Sequence, residues 1–205
     1  MKCGFLLFPE LEELDLIGPW EILTMWQKEL GNQNTCFTVA QTAETIKCAK
    51  GLSICPDYTF ANCPHIDCLV IPGGWGTRAE VNNPELIGFI KKAAQTADHV
   101  LTICTGVFLL NETGFLTDQE ITTHWRSIDR LRDATQAKVV QKRWTNSGNL
   151  WTSAGISAGT DMALAFVKAI SGEAIAGKVQ LNTEYFPDPV VYDKGGNPLP
   201  LYASK

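Results

Sequence analysis

Cys104 lies between two apolar runs, residues 100–103 before it and residues 107–110 after it. The first run predicts a buried strand and the second a helix, so the cysteine falls at a strand-to-helix turn. Such a turn holds its central residue at the edge of a sheet, often with a strained backbone, and it suits a nucleophile. Gly106, two residues later, leaves room for the close backbone approach that this turn needs.

The chemistry expected of Cys104 is nucleophilic attack by its thiolate. A helix beginning at Thr105 directs free backbone N–H groups and the positive end of its dipole at the sulfur, and both favour the thiolate. The alternative is a core cysteine at the end of a strand, because free cysteine often behaves as a small buried hydrophobe. The spacing alone leaves both interpretations open.

Asp15 is the candidate acid or base. Its neighbours Leu14, Leu16 and Ile17 are apolar, and burial of a carboxyl group raises its pKa because the charged form is disfavoured. Such a group can donate or accept a proton near neutral pH. The alternative is a cap for a helix that starts near Gly18.

Other loop residues could bind or orient a substrate. Gly73 and Gly74 follow a predicted strand and either offer backbone N–H groups to a ligand or form a plain tight turn. Trp20, Trp75 and Ile156 are candidates to line an apolar pocket. His124 stands twenty residues after Cys104, and Glu12 and Glu13 stand close to Asp15. We expect a buried, hydrogen-bonded structural histidine and two solvated acids.

Strands and helices alternate along the chain. The predicted strands cover residues 2–8, 36–40, 53–55, 67–71, 99–103, 120–123, 138–140, 143–145 and 150–152, and the predicted helices cover residues 19–30, 84–97, 105–113, 126–132, 158–170 and 173–183. Continuous apolar strands separated by helices predict an α/β fold with a mostly parallel central sheet and helices on both faces, in a single domain over residues 1–205. The proline-rich segment from Phe186 is expected to be irregular surface.

Ligands of open α/β sheets bind beyond the carboxyl ends of the strands. The segments that contain Asp15, Gly73 and Cys104 each follow a predicted strand. We therefore expect them to meet at one edge of the sheet.

The composition excludes several classes of function. The chain has a net charge of −5 and 19% charged residues, so a nucleic-acid partner is not expected. The apolar run at residues 4–8 is too short for a signal peptide, and no run reaches the ~18 residues of a membrane span, so a cytoplasmic location is expected. Seven cysteines without C-x₂-C spacing predict reduced thiols and no metal site.

Five segments together resemble the ThiJ/PfpI superfamily: residues 14–19 (LDLIGP), 71–74 (IPGG), 103–106 (ICTG), 122–125 (TTHW) and 154–161 (AGISAGTD). The resemblance extends to about Glu184 and implies a class I glutamine-amidotransferase-like, flavodoxin-like fold. It is greatest to the branch that adds water to isocyanides. It implies Cys104 as the nucleophile, Asp15 as the acid/base beside it, Thr105 as a helper, no cofactor and a homodimer.

Two departures separate the chain from other branches of this superfamily. Its peptidases carry histidine directly after the cysteine, where this chain has Thr105, and its glyoxalase-like members usually carry glutamate where Asp15 stands. The same segments occur in sensor domains of transcription regulators, but those carry a C-terminal helix-turn-helix domain, for which too few residues follow here.

The resemblance therefore implies hydration of an isocyanide to an N-substituted formamide through a cysteine thioimidate. A glyoxalase-like enzyme and a stand-alone redox or ligand sensor are the alternatives, both using the same cysteine. We expect Gly73, Gly74, Trp75 and Ile156 to bind the substrate. A homodimer is also expected from the large apolar side chains of the helix at 19–30.

Overall fold

A sheet of seven strands forms the centre of the fold. The computed structural model describes residues 1–33 and 35–187. Its strands are β1 (Lys2–Leu6), β2 (Thr35–Ala40), β3 (Ile46–Lys47), β4 (Ser53–Ile54), β5 (Tyr58–Thr59), β6 (Cys68–Ile71), β7 (His99–Ile103), β8 (Glu120–Ile121), β9 (Lys138–Val139), β10 (Trp144–Ser147) and β11 (Leu150–Ser153). The central sheet has the order β10-β11-β7-β6-β1-β2-β5. Its strand pairs are parallel except for β10 with β11.

Helices flank this sheet in two contacting groups. They are α1 (Glu13–Glu29), α2 (Thr77–Glu80), α3 (Pro84–Thr96), α4 (Gly106–Asn111), α5 (Ile128–Ala134), α6 (Ala158–Ser171) and α7 (Glu173–Asn182), with one 3₁₀ turn at Trp125–Ser127. Helices α1, α6 and α7 pack together, whereas α4 contacts α2 and α3. The arrangement is a flavodoxin-like α/β fold, which confirms the fold class expected from the alternation of strands and helices.

Strand β1 lies in the interior of the sheet. It pairs with β2 on one side and β6 on the other, so that Cys3 stands opposite both Cys36 and Cys68. Phe5 and Leu6 are fully buried, as expected for an apolar strand covered on both faces. The carboxyl ends of β1, β6 and β7 therefore lie side by side.

Helix α1 begins earlier than the sequence predicts. The prediction placed its start at Pro19, since proline favours the first helical turn, but the helix starts at Glu13 with Glu12 in the cap position and Pro19 inside it. The helix packs closely against α6 at the residue before Pro19. A Cβ at Gly18 would lie 2.4 Å from the Thr160 hydroxyl oxygen, so only glycine fits there. Asp15 thus lies in the first turn, and its interpretation as a cap is wrong.

Part of the apolar surface expected on α1 packs within the protomer. The Trp20 ring lies 5.0 Å from the Phe5 ring. Trp26 is 1% exposed, meets Phe166 edge-on at 6.0 Å and donates its indole N–H to Ser171 at 2.9 Å. Trp26 is thus not available to a partner, whereas Trp20 and Met25 are only half-buried, so the homodimer expected from this helix stays a prediction.

Several remaining elements match the predictions closely. Strand β7 agrees residue for residue, and α3, α6 and α7 agree within one residue at each end. The short helix α2 and the two-residue strands β3 and β5 were not predicted, because they carry no periodic apolar pattern. The proline-rich segment expected from Phe186 lies, from residue 188 onward, outside the described residues. None of the helices described is long and apolar enough to cross a membrane.

Candidate active site

A cavity of about 280 Å³ opens at the carboxyl edge of the sheet. The residues that line it are Glu12, Lys50, Gly74, Trp75, Arg78, Cys104, Thr105, His124, Arg126, Ser127 and Ile156. They come from the loops after β1, β6, β7, β8 and β11 and from the turn between β3 and β4. The sheet thus brings chemistry-bearing side chains together where the parallel topology predicts a ligand site.

Cys104 occupies a strained turn, as the sequence predicts. Its φ angle is +54°, a left-handed conformation that is unfavourable for a residue with a Cβ. Its N–H donates to the carbonyl oxygens of Ser153 and Ala154 at 3.1 and 3.2 Å, and its own carbonyl accepts from the Thr123 hydroxyl at 2.7 Å. These bonds tie the turn to β11 and to the segment after β8, and they offset the strain.

Gly106 is required by this turn. A Cβ at Gly106 would lie 2.3 Å from the carbonyl oxygen of Ile71 and 2.7 Å from that of Pro72. Both distances are shorter than van der Waals contact. The glycine therefore allows α4 to press against the end of β6, as the sequence predicts.

Ile156 holds a second strained backbone beside the sulfur. Its φ angle is +55°, which is a rare conformation for a β-branched residue. The Ile156 N–H interacts with both the Cys104 thiol and the Asp15 carboxyl and favours the charged form of each. The strain therefore directs a backbone donor at the Cys104 and Asp15 side chains, and strain of this kind is common at functional sites.

Asp15 is a fully buried carboxyl group beside Cys104. Its exposure is 0%, its Oδ2 accepts from the Gly73 N–H at 2.9 Å, and its Oδ1 has no conventional hydrogen-bond partner. The pKa of Asp15 is raised to about 7, mainly by burial and further by the negative charge of Glu12. Hydrogen bonds from Gly73 and, more weakly, from Cys104 and Ile156 act to lower it. The raised pKa expected from its apolar neighbours is present, and its cause is desolvation.

The prediction of a stabilised thiolate is wrong for the resting protein. Burial and then the negative charge of Asp15 raise the pKa of the Cys104 thiol, and the N–H groups of Thr105 and Ile156 and the Thr105 hydroxyl only partly compensate. Helix α4 has six residues, so its dipole is small. At neutral pH the cysteine is a thiol, and Asp15 is the group that ionises first.

Thr105 joins the cysteine turn to the loop after β6. Its hydroxyl oxygen accepts from the Gly74 N–H at 3.0 Å and from the Thr77 hydroxyl at 3.1 Å. The same hydroxyl lies 3.2 Å from the Gly74 carbonyl oxygen, to which it donates. Thr105 therefore fixes the position of α2, which begins at Thr77, relative to Cys104.

Of the four residues expected to bind substrate, Gly74, Trp75 and Ile156 line the cavity. Gly73 does not, and it instead holds Asp15 through its N–H group. Trp20 is also remote from the cavity because it packs on β1, so its expected role as a lining residue is wrong.

His124 is half-buried and lines the same cavity, so the expectation that it is buried is wrong, whereas the expected hydrogen bond is present. Its Nδ1 accepts from the Arg126 N–H at 3.2 Å, which leaves Nε2 to carry the proton of the neutral ring. Burial and the charge of Arg126 lower its pKa. The neutral ring therefore presents an N–H donor in the cavity that Cys104 also lines.

Charged residues of the cavity were missed by sequence reasoning. Glu12 was expected to be solvated, but it is 7% exposed and forms an ion pair with Lys50. Arg78 and Arg126 line the cavity from separate loops. No local pattern marks these four residues, because they come together only in the folded chain.

The chain belongs to the DJ-1/PfpI family, whose model matches residues 1–169. It is 35% identical over 195 residues to the isonitrile hydratase of Pseudomonas putida, covering 95% of this chain and 82% of that protein. It is also 25% identical over 180 residues to the HTH-type transcriptional regulator GbdR of Pseudomonas aeruginosa, covering 87% of this chain but about half, 49%, of the regulator.

A solved structure shares the fold over most of its length. The crystal structure of a ThiJ/PfpI family protein from Pseudomonas syringae superposes with a TM-score of 0.86 at 29% identity, covering 93% of this chain and 77% of that one. The fold and the family predicted from the five sequence segments are therefore confirmed.

Proposed function

We propose that this protein hydrates an isocyanide to an N-substituted formamide, with Cys104 as the nucleophile and Asp15 as the proton-transfer group. The observation that carries the proposal is the pairing of a cysteine on a strained turn with a fully buried carboxyl group whose pKa is about 7. The 35% identity to an isonitrile hydratase supports it. Within the family, the short Asp15 side chain and Thr105 set the chain apart from the glyoxalase and peptidase patterns.

The first step adds the thiol across the terminal carbon of the isocyanide. The Asp15 carboxylate takes the proton of the Cys104 thiol while the sulfur forms a bond to the electrophilic carbon. Asp15 then delivers this proton to the same carbon, which yields a covalent thioimidate. The proton moves from sulfur to carbon, and Asp15 returns to its carboxylate form.

The second step hydrolyses the thioimidate. Asp15 takes one proton from water as the water oxygen bonds to the thioimidate carbon. The carbon–sulfur bond breaks, and Asp15 returns that proton to Cys104. The other proton of the water ends on nitrogen, so the products are the formamide and the free thiol.

The surrounding residues bind and orient the substrate in this scheme. Gly74, Trp75 and Ile156 contact its N-substituent, and Thr105 holds the cysteine turn in register with the loop that carries them. The scheme requires no cofactor. We further propose that the chain works as one domain over residues 1–205, as a homodimer, in the cytoplasm, where its free thiols stay reduced.

The test is turnover of a neutral alkyl isocyanide by the purified protein, followed as formamide production. We expect Cys104→Ser to abolish turnover and the matched variant Cys55→Ser to retain it, since Cys55 is exposed and does not line the cavity. Equal turnover by Cys104→Ser and wild type would refute the proposed role of the cysteine.

The same protein is also mixed with methylglyoxal and with peroxide. Lactate production that depends on Cys104 without formamide production would indicate a glyoxalase. Oxidation of Cys104 to a sulfinic acid without any turnover would indicate a sensor. Either result would overturn the hydratase proposal.

A further inference from the structure

The mouth of the Cys104 cavity carries more positive than negative side chains. Its lining includes the cations Lys50, Arg78 and Arg126, and among the described residues that line it Glu12 is the only acid. Glu12 already forms an ion pair with Lys50. Among the described residues, no carboxylate lies within 4.0 Å of either arginine. Arg78 and Arg126 therefore have no carboxylate partner in the part of the chain that the structure describes, although the net charge of the chain is −5.

Each of these arginines is held against a tryptophan ring. The guanidinium carbon of Arg78 lies 4.2 Å from the centroid of the Trp75 ring, and that of Arg126 lies 4.8 Å from the centroid of Trp125. Both tryptophans are exposed, at 64% and 43%. Stacking occupies the face of a guanidinium and leaves its N–H groups free along the edge. The tryptophans therefore hold the two donor groups in place without satisfying them.

The backbones of both arginines are also fixed to the catalytic loops. Arg78 lies in α2, whose first residue, Thr77, donates to the Thr105 hydroxyl. The Arg126 N–H donates to His124, which lines the same cavity. The backbones that carry these arginines are thus anchored to the residues around Cys104, and both side chains line the cavity that the sulfur lines.

We infer that the substrate is an isocyanide whose N-substituent carries a carboxylate, bound by Arg78 and Arg126 while the terminal carbon faces Cys104. The inference rests on the proposed function. Guanidinium and carboxylate form paired, charge-assisted hydrogen bonds, which orient a ligand as well as bind it. A cavity of about 280 Å³ is small for a ligand site, and this favours a short carboxylate-bearing chain. The product of such a substrate is an N-formyl amino acid.

The experiment compares a 2-isocyano carboxylate with its methyl ester, in which a methyl group replaces the negative charge. We expect wild type to have a kcat/KM for the carboxylate roughly tenfold above that for the ester, since charge-assisted hydrogen bonds are worth about this factor or more. Arg78→Gln and Arg126→Gln should each lower the carboxylate-to-ester ratio severalfold. The control Arg132→Gln should leave the ratio unchanged, because Arg132 pairs with Asp129 away from the cavity.

Salt dependence gives an independent readout. The arginines are exposed, so raising the ionic strength should lower the carboxylate-to-ester ratio in wild type. It should have little effect in the double variant of Arg78 and Arg126. Equal kcat/KM values for the two substrates in wild type, or a preference that survives in the double variant, would overturn the inference.

Calorimetry with products separates this inference from the proposed function. We expect an N-formyl amino acid to bind roughly tenfold more tightly than its methyl ester, and this measurement needs no turnover. If neither isocyanide is hydrated while this binding preference is found, the proposed function fails and the anion site stands. If the ester is hydrated and no preference is found, only the carboxylate assignment fails. Tighter binding of a phosphonate analogue than of the carboxylate would also overturn that assignment.

Discussion

Replacing Asp15 by asparagine should make the protein more stable at alkaline pH and inactive. The carboxyl group titrates at about 7 in the folded chain, against 3.8 for its ordinary value. Between these two values the folded protein holds a proton on Asp15 that the unfolded chain has released. The free energy of unfolding therefore falls as the pH rises through this window and levels off above about pH 7.

The magnitude follows from the two pKa values. A shift of one pKa unit corresponds to about 1.4 kcal/mol, so ionisation of Asp15 costs the folded state roughly 4 kcal/mol once the pH is well above 7. Between pH 5 and pH 8.5 the change is about 3 kcal/mol. Asparagine has no such dependence, although its buried amide forfeits about 1–3 kcal/mol where it lacks a partner. That loss is independent of pH, so the difference between the two proteins isolates the titration.

The assay is thermal or urea unfolding of wild type and Asp15→Asn at pH 5 and pH 8.5. The stability of the variant relative to wild type should increase by about 3 kcal/mol from the lower to the higher pH. For a chain of this length this is roughly 5–10 °C in relative Tm. Asp133→Asn, at an exposed position, is the matched control and should show no such change. A difference that does not vary with pH would refute the raised pKa, and normal formamide production by Asp15→Asn would remove the residue from the mechanism.

Three further outcomes are expected. Gly106→Ala should destabilise the fold by about 2 kcal/mol or more, because its Cβ would lie 2.3 Å from a carbonyl oxygen at the end of β6. The control Gly88→Ala, whose Cβ would have nothing within 4 Å, should instead stabilise α3 by about 0.5–1 kcal/mol in the same unfolding assay. Brief iodoacetamide labelling at pH 7 followed by peptide mapping should modify Cys55 before Cys104, since burial raises the pKa of the latter thiol; faster labelling of Cys104 would restore the thiolate prediction. The kcat/KM for hydration should rise through about pH 7 as Asp15 ionises, and a rate that falls over this range would show that the protonated acid is the active form.

The elements that could be predicted are those whose boundaries are set by residues next to one another in the sequence. Strand β7 is an apolar run bounded by polar residues, and α3 has Pro84 at its start and an amphipathic pattern along its length. Helix α1 could not be delimited in this way. Pro19 is a strong local start signal, but it was outweighed by packing of the helix on the sheet and on α6.

The candidate site, like the fold, could be predicted only where neighbouring residues in the sequence carry the signal. Cys104 and Asp15 were found because their immediate neighbours reveal a turn and an apolar environment. The acidity of the cysteine was predicted wrongly, because sequence does not show that burial and a neighbouring carboxylate outweigh a six-residue helix. The role of Arg78 and Arg126 depends on which loops meet in space, and a single sequence contains no local signal of this.

The interior position of β1 has a consequence for the order in which the protein folds. β1 is the first described strand, yet it pairs on one side with β6, and the bond between Lys2 and Asp67 closes a loop of 65 residues. Closing such loops has an entropic cost before the contacts are gained, so sheets of this kind fold slowly. β7 pairs with β6 rather than with β1, so Asp15 and Cys104 come together only when β1, β6 and β7 are all in place. On refolding, recovery of the proposed hydratase activity should therefore lag behind recovery of helical signal, and in a growing chain Asp15 and Cys104 would not meet until β7 is in place.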